Sequence, residues 1–594
     1  MIRTPLRPLA RILEARLKGE NPDRIERDNL RKRHEQMREK SRLRAEGRLV
    51  VLAGLFLCGF IVIGLRMGAL SQTEPHEPNT YNPGADILTA RADIVDRNGR
   101  LLATNMATHA LYAQPPMMVD PQMAARELAL IFPDMEEEDL LEQFTGTRKF
   151  LWIKKNISPE QQQLVHDIGE PGLLFGPREM RLYPNGRLAA HVLGGAGFGR
   201  EGVAAAEVIG VAGVEKRFDD WLRDPANGGE ALQLSLDLTV QAAIEQVLYG
   251  GMKIMGAKGA AAVLMDVATG EVIAITSLPD FDPNNRPRPL TEGNAADSPL
   301  FNRAVQGVYE LGSTFKIFAV AQAVELGLVN PSTMINTRGP LKWGRFSIRD
   351  FHNYGAQLSV TDILVRSSNI GTARIAQQIG AERQRAFLDS LGLLKPTSFE
   401  MIEASGARPL LPPNWSELST MTISYGHGLS ASPLHLAAAY SSLLNGGTLV
   451  TPTLLRQDDV ERGVRVVSPQ TSAMARDLLR QVVVRGTASF GEVRGYLVGG
   501  KTGSADKPRE NGGGYYDDKV ISTFASVFPS NDPKYVLIVT LDEPEIFASG
   551  EMRRTAGWTA VPVAAEIIRR TAPLLGLRPV IANQGSNGVT LASQ

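Results

Sequence analysis

The sequence predicts an α+β protein that carries a single N-terminal transmembrane helix. An uncharged apolar stretch lies near the N-terminus, and a region of mixed helix and strand patterns follows it. Beyond Leu232, two strand-like runs precede a long helical block and three more strand-like runs follow that block. Because strands from both ends of a domain can pair in one sheet, we expect five antiparallel strands flanked by helices, with an all-helical subdomain beside them.

The composition narrows the classes of function. At 594 residues the chain is too long for one ordinary domain, and lysine plus arginine equal aspartate plus glutamate at 64 each, so no overall charge favours nucleic acid. The single cysteine, Cys58, excludes an internal disulfide, and the 8 histidines are scattered without the spacing of a zinc site. We therefore expect neither a metal nor a cofactor.

The predicted membrane anchor covers residues 49–70 and follows a charged, arginine-rich tail at residues 1–48. Its uncharged part, Leu49–Leu65, lies between Arg48 and Arg66 and is long enough to span a bilayer if the second arginine snorkels. A buried core helix and a cleaved signal peptide are alternatives, but the stretch is uniformly apolar and the leader before it is too long. Because basic flanks stay in the cytoplasm, we expect the rest of the chain outside. The tail itself determines topology or, alternatively, binds a partner.

The segment after the anchor has two predicted parts. Residues 71–84 are rich in proline, asparagine and glutamate and suit a linker, and residues 85–231 form a predicted pedestal domain. The absence of concentrated reactive residues from the pedestal indicates an extracytoplasmic α+β module and says little about activity. Its predicted elements are a strand–turn–strand at Ala90–Leu102, helices at Met118–Phe144 and Pro159–Ile168, and a strand at Lys149–Lys155.

The largest predicted domain covers residues 232–577, and residues 578–594 have the composition of a disordered tail. We expect a helix near each end of this domain, with the five strands and the helical block between them. The predicted helices are Leu238–Leu248 and Val561–Arg570, and the predicted strands are Ala261–Met265, Glu271–Thr276, Tyr496–Gly500, Ser522–Phe528 and Tyr535–Leu541.

A candidate nucleophile opens the helical run after the first two strands. Ser313 begins an apolar stretch and Lys316 follows one helical turn later, so both side chains share a helix face. An amine desolvated against Phe315 and its apolar neighbours can be neutral enough to take a proton from a serine. The pattern alone is weak, because Ser504–Lys507 matches it too and a serine N-cap with a solvated lysine has the same spacing.

Two further motifs strengthen this assignment. Ser367-Ser368-Asn369 lies in the helical block, and Lys501-Thr502-Gly503-Ser504 is predicted at a strand end. Each is a common loop or strand-end sequence by itself. In this fixed order, after the serine and lysine at 313 and 316, the three form the signature of serine β-lactamases and penicillin-binding proteins.

With these motifs the chain resembles the class B penicillin-binding proteins, which are membrane-anchored peptidoglycan D,D-transpeptidases, from Leu49 to about Ala572. It is most similar to the septal, division-specific type, on the evidence of Phe301–Lys316 and Leu418–Leu434. Other family-like stretches are Arg91–Gly99, Arg181–Gly186, Gly210–Glu215 and Tyr425–Leu434.

The resemblance implies a mechanism. A stem peptide ending in D-Ala-D-Ala would acylate Ser313 with Lys316 as the base, and the backbone amides of Ser313 and Ser504 would form the oxyanion hole. The peptide would lie along the strand at Lys501, and an amine from a neighbouring stem peptide would then take the acyl group. The implied catalytic residues are Ser313, Lys316, Ser367, Asn369 and Lys501, and the implied substrate-binding residues are Thr502, Gly503 and Ser504.

The resemblance also implies partners and a location. β-Lactams would be covalent ligands, and the catalytic domain would lie in the periplasm on a single-pass anchor in the cell inner membrane. A bifunctional wall synthase would need a glycosyltransferase module, yet no Glu-Asp-x-x-Phe stretch lies between the anchor and Leu232. We therefore expect an integral-membrane glycan polymerase and other division proteins as partners.

Three other functions remain open at this point. An elongation-specific class B transpeptidase is the nearest alternative, and the position of the protein at mid-cell or along the side wall separates the two. A β-lactamase would need a deacylating glutamate, whereas Ser441–Asn445 has serine in that place. A catalytically idle scaffold or sensor is disfavoured because every reactive side chain is present and the tail before Arg48 is too short for an effector.

Overall fold

The computed structural model describes residues 13–72, 91–198, 208–457, 463–509 and 514–580. Contacts divide the chain into two compact units, Met1–Asp86 and Ile87–Gln594. Most of the predicted linker, at residues 73–84, and most of the predicted disordered tail, at residues 581–594, lie outside the described residues.

In the first unit a continuous helix, α1 (Pro22–Gln72), contains the predicted anchor. Its large apolar side chains between Val51 and Leu65 are exposed. The ends of the predicted anchor, residues 49–50 and 67–70, have side chains that the structure does not describe. Among the described residues, no helix combines the length and the apolar character that a bilayer span requires.

Residues 91–233 form the pedestal and its junction with the next domain. Strand β2 (Leu101–Ala113) is central, because it pairs antiparallel with β1 (Ile94–Val95), β3 (Leu151–Ile157) and β4 (Leu173–Leu182). Strand β1 also pairs parallel with β7 (Leu232–Gln233). The described strands are β1 (Ile94–Val95), β2 (Leu101–Ala113), β3 (Leu151–Ile157), β4 (Leu173–Leu182), β5 (Gly195–Phe198), β6 (Val208–Ala212) and β7 (Leu232–Gln233). The described helices are α2 (Pro121–Ile131), α3 (Glu137–Thr145), α4 (Pro159–Asp167), α5 (Ala190–Leu193), α6 (Gly213–Arg217) and α7 (Asp219–Arg223).

The predicted strand–turn–strand at the start of the pedestal is present. Asp96 Oδ1 accepts hydrogen bonds from the backbone N–H groups of Asn98, at 2.8 Å, and Arg100, at 2.9 Å. Gly99 between them has φ of +79°, a conformation that favours glycine. The two hydrogen bonds from the backbone to the Asp96 side chain fix the turn that joins β1 to β2.

The part of the second unit after residue 233, here called the larger domain, contains the remaining described elements. Its described strands are β8 (Gly259–Asp266), β9 (Val272–Leu278), β10 (Met334–Asn336), β11 (Leu341–Trp343), β12 (Phe346–Ile348), β13 (Gln357–Ser359), β14 (Gly499–Pro508), β15 (Tyr515–Phe528), β16 (Tyr535–Asp542), β17 (Ile546–Ala548) and β18 (Glu551–Arg553). Its described helices are α8 (Leu238–Ile254), α9 (Lys316–Glu325), α10 (Val360–Arg366), α11 (Asn369–Ile379), α12 (Ala381–Ser390), α13 (Ile402–Gly406), α14 (Glu417–Ser424), α15 (Pro433–Leu444), α16 (Pro469–Arg485) and α17 (Ala560–Leu574).

A five-stranded antiparallel sheet in the order β14-β15-β16-β8-β9 forms the centre of this domain, as predicted. Strands β8 and β16 are buried along nearly their whole length, so both faces of the sheet are covered. Helices α8 and α17 pack on each other and on the sheet, and α15 packs on β8 and β16. Strand β14 lies at the edge, where it faces α16 and the turn that leads into α9.

The helical block lies between β9 and β14 in the sequence, as expected for the all-helical subdomain. Helix α9 contacts α11 and α16, and α11 contacts α14. Two short hairpin-like pairs, β10 with β13 and β11 with β12, project from this block. The block therefore brings the start of α9 and the start of α11 against the edge strand β14.

Two predicted elements differ from the structure. The helix predicted at Met118–Phe144 is divided into α2 and α3, because Pro133 cannot continue the helical hydrogen bonds. The strand predicted to end at Gly500 instead begins one residue before it, since Leu497 has φ of +43° and the preceding residues form a turn. Lys501 consequently lies inside β14 rather than after its end.

Candidate active site

Ser313 lies in a short 3₁₀ turn, Gly312–Phe315, that runs directly into α9. The turn is held from two sides: the Gly312 N–H donates to the Gly426 carbonyl at 3.2 Å, and the buried Tyr440 hydroxyl donates to the Thr314 carbonyl at 2.7 Å. Because these contacts fix the backbone on both sides of Ser313, its partly exposed hydroxyl has a defined position at the open face of the domain.

The Lys316 side chain is fully buried and lies within hydrogen-bond distance of four oxygen atoms. Its Nζ is 2.9 Å from Ser313 Oγ, 2.6 Å from the Ser367 carbonyl oxygen, 3.0 Å from Ser367 Oγ and 2.7 Å from Asn369 Oδ1. A neutral amine can donate its two hydrogens to the carbonyl and amide oxygens and direct its single lone pair to one of the two hydroxyls. In that state Lys316 can accept the proton of Ser313.

Both lysines of the site are buried, and burial lowers the pKa of each. Burial, and then the nearby charge of Lys501, lower the pKa of Lys316 well below its ordinary value, while Asp350 acts in the opposite direction. Burial lowers the pKa of Lys501 to about 7. Ser367 Oγ lies 3.0 Å from one amine and 2.9 Å from the other. Since two protonated amines would repel, the site suits one neutral and one charged lysine, which acid–base chemistry requires.

The second motif is held by the junction between α10 and α11. Ser367 ends α10 with φ of +63°, which turns its hydroxyl between the two lysines. The Asp350 carboxylate fixes the start of α11, because it accepts from the Ser368 hydroxyl at 2.7 Å and from the Ile370 N–H at 3.0 Å. The Asn369 amide nitrogen donates to the Arg349 carbonyl at 3.1 Å, so its amide oxygen faces Lys316.

Side chains alternate along β14, so the third motif presents two faces. Lys501 and Gly503 face the serine turn, where a Cβ at Gly503 would lie 2.2 Å from the Leu311 carbonyl oxygen. Glycine is therefore required for this close approach. Thr502 and Ser504 face the other way: the hydroxyl of Thr502 lies 2.7 Å from that of Thr487, and Ser504 Oγ accepts from the Ala556 N–H at 2.8 Å.

The structure brings five of the predicted residues into one hydrogen-bonded cluster and places the other three beside it. Gly503 allows β14 to approach the serine turn closely, and the Thr502 hydroxyl contacts Thr487, which lies outside the cluster. Sequence reasoning missed Asp350 and Tyr440, because neither belongs to a motif and each contacts the site only through tertiary folding. No group of metal-ligating side chains occurs among the described residues. The cluster can activate a serine hydroxyl, shuttle its proton and hold an anionic ligand. The clustered residues are Ser313, Lys316, Ser367, Asn369 and Lys501.

Comparisons with known proteins agree with this chemistry. The family model described as the penicillin binding protein transpeptidase domain matches residues 260–569, and the penicillin-binding protein dimerisation domain matches residues 86–234. The chain is 35% identical over 544 residues to the probable peptidoglycan D,D-transpeptidase FtsI of Caulobacter vibrioides, covering 89% of each chain. It is 26% identical over 530 residues to the peptidoglycan D,D-transpeptidase FtsI of Escherichia coli K12, covering 82% of this chain and 87% of that protein.

A solved structure is similar across most of the chain. It is that of penicillin binding protein 3 from Mycobacterium tuberculosis complexed with aztreonam, with a TM-score of 0.63 and 26% identity. The similarity covers 82% of this chain and 97% of that chain, so it includes both the region around the central sheet and the region before it.

Proposed function

This chain belongs to the penicillin-binding proteins, as a class B member of the septal type, and from this premise we propose that it cross-links peptidoglycan stem peptides through an acyl-enzyme on Ser313. It is a serine-type peptidoglycan D,D-transpeptidase of cell division and a target of β-lactams. The observation that supports the proposed residue roles is the Lys316 amine, buried and 2.9 Å from Ser313 Oγ.

In the proposed acylation step, Lys316 takes the proton of Ser313 as Oγ attacks the carbonyl of the penultimate D-alanine. The new Oγ–C bond forms and the C–N bond to the terminal D-alanine breaks. Ser367 passes the proton to the leaving amine, because its Oγ contacts both lysines. Asn369 holds Lys316 in place through its amide oxygen, at 2.7 Å.

The donor peptide is proposed to lie along β14. Lys501 supplies positive charge next to the terminal carboxylate, and Ser504 keeps its own hydroxyl hydrogen for that carboxylate because its oxygen accepts from Ala556. The backbone amides of Ser313 and Ser504 would stabilise the oxyanion. Their proximity is supported by Gly312, on which a Cβ would lie 3.3 Å from Ser504 N. In the second step, an acceptor amine attacks the ester carbonyl. The new amide bond forms, the Oγ–C bond breaks, and Ser313 regains its hydroxyl.

The proposed location is the cell inner membrane, with the N-terminus in the cytoplasm and the catalytic domain in the periplasm. The support is the uncharged stretch at Leu49–Leu65 between two arginines, which falls within α1. Because the chain shows no glycosyltransferase motif before Leu232, we further propose that an integral-membrane glycan polymerase contacts the anchor and pedestal, together with other division proteins. Cross-links from α1 to such a polymerase test this partner, and cross-links confined to residues 232–577 would contradict it.

Labelling with a membrane-impermeant fluorescent penicillin tests the nucleophile and the location together. In spheroplasts with an intact inner membrane, the wild type and the exposed-serine control Ser332→Ala should both become labelled, and the label should persist after free drug is removed. Ser313→Ala should show no label, because the ester cannot form without Oγ.

Each other outcome of the labelling experiment has a defined meaning. Rapid loss of label would indicate a β-lactamase, and absence of label from the folded wild type would indicate a scaffold. Label that appears only after the inner membrane is disrupted would contradict the proposed topology. Label retained in Ser313→Ala would move the nucleophile to another residue.

A further inference from the structure

A cavity of about 530 Å³ lies beside the reactive centre and has no part in the mechanism described so far. It is formed by the loop after β10 and by the segment between β12 and β13, with Ile370 of α11 at its base. Asn369 separates it from the catalytic lysine: its amide oxygen contacts Lys316 at 2.7 Å, and its amide nitrogen contacts the carbonyl of cavity residue Arg349 at 3.1 Å. The Asn369 carboxamide therefore lies between the cavity and Lys316, which in turn contacts Ser313.

The cavity is cationic and partly aromatic. Arg338 and Arg349 line it, both are exposed, and no described acidic side chain lies within 4.0 Å of either guanidinium. Asp350 also lines it and accepts from Ser368 and Ile370, so the two arginines leave the lining with a net positive charge. The ring of His352 packs edge-on against that of Tyr354, with centroids 6.1 Å apart. Two unpaired guanidiniums beside aromatic rings suit a ligand with a carboxylate on an organic body.

The position of the cavity indicates which of the two substrates, donor or acceptor, it can bind. The donor peptide is assigned to the open edge of β14, where Lys501 supplies a positive charge and Ser504 a hydroxyl from the two faces of the strand. None of the residues that line the cavity belongs to β14, and the cavity residue Arg349 accepts from the Asn369 amide through its carbonyl. An amine that attacks the ester on Ser313 must approach from a side that the bound donor leaves open. The cavity meets this condition because its lining contains no residue of the donor strand.

We propose that this cavity binds the acceptor stem peptide, and that Arg338 and Arg349 recognise a carboxylate close to the attacking amine. The inference rests on the proposed transpeptidase function. It adds that a carboxylate next to the amine is the feature by which the enzyme selects its acceptor. Binding the carboxylate would hold the amine near Ser313 and favour its attack over that of water. The two arginines are thus specificity-determining residues for the second half of the reaction.

A competition between two acceptors tests this proposal. The full-length enzyme in detergent is acylated by a thioester donor and offered one of two peptides that share the same amine, one with a free carboxylate beside it and one with the carboxamide. Wild type should transfer to the carboxylate peptide at least about tenfold better, because a charge-assisted hydrogen bond contributes this much or more. In the double variant Arg338→Gln/Arg349→Gln, the ratio of transfer to the carboxylate peptide over transfer to the carboxamide peptide should fall to about one, because both positive charges are lost.

The matched control is Arg345→Gln, an exposed arginine in the β11–β12 turn that does not line the cavity, and it should keep the wild-type preference. Transfer is scored per molecule of acyl-enzyme, so a loss of folded protein lowers both acceptors equally. A preference retained in the double variant, or equal transfer by wild type to both peptides, would overturn the proposal. Failure of the wild type to form any acyl-enzyme would instead overturn the proposed function, and the acceptor site with it.

Discussion

Replacing Lys316 by alanine should abolish acylation of Ser313. The amine is the only described side-chain nitrogen within hydrogen-bond distance of Ser313 Oγ, at 2.9 Å, and burial lowers its pKa, which favours the neutral form that can take a proton. A positioned general base typically contributes about 10²–10⁴-fold, and this base also holds Ser367 and Asn369, so we expect a loss of at least about a thousandfold. The second-order rate of labelling by a fluorescent penicillin measures the effect.

The control for this experiment is Lys507→Ala, which removes a lysine from the same edge strand as Lys501. Lys507 pairs with Asp542 and Glu543, each at 2.7 Å, away from the serine. That variant should label at close to the wild-type rate, and circular dichroism should show that Lys316→Ala is folded. Labelling of Lys316→Ala at an undiminished rate would exclude Lys316 as the base.

The sequence predicted the parts of the site that depend on local spacing. Ser313 and Lys316 are one helical turn apart, so their contact follows from helix geometry once the run is helical. The order of the three motifs then indicated which chemistry to expect. The exact partners were not predictable, because Asp350 and Thr487 reach the motifs only through tertiary folding.

The sheet shows the same division between local and long-range information. Its five strands were predicted from apolar runs such as Ala261–Met265, because burial on both faces gives continuous hydrophobic stretches. The start of β14 was placed too early, since Tyr496 is nearly buried and resembles a strand residue although its backbone forms a turn. Similarly, Arg338 and Arg349 lie outside every motif, and only the fold brings them together in one cavity.

A second large effect is expected in the pedestal, where one buried carboxylate holds two buried arginines. Glu215 is completely buried and accepts from Arg91 Nε at 2.6 Å and from Arg181 Nε at 2.6 Å. Arg91 also contacts Asp219 at 2.7 Å, and the Tyr183 hydroxyl donates to Glu215 at 3.3 Å. The network joins the segment just before β1, the end of β4 and the adjacent helices α6 and α7, so it connects parts of the pedestal that are far apart in the sequence.

Glu215→Ala should lower the free energy of unfolding by about 3–5 kcal/mol, because it leaves the charges of Arg91 and Arg181 buried with too few anionic partners. Chemical denaturation of the full-length protein measures this loss. The exposed pair of Arg126 and Glu127, at 3.1 Å, supplies the control: Glu127→Ala should cost about 0–1 kcal/mol, since solvent screens such a pair. Equal stability of the two variants would show that the network does not hold the pedestal together. A large loss of unfolding free energy confined to Glu215→Ala would show that this carboxylate makes a major contribution to the stability of the pedestal.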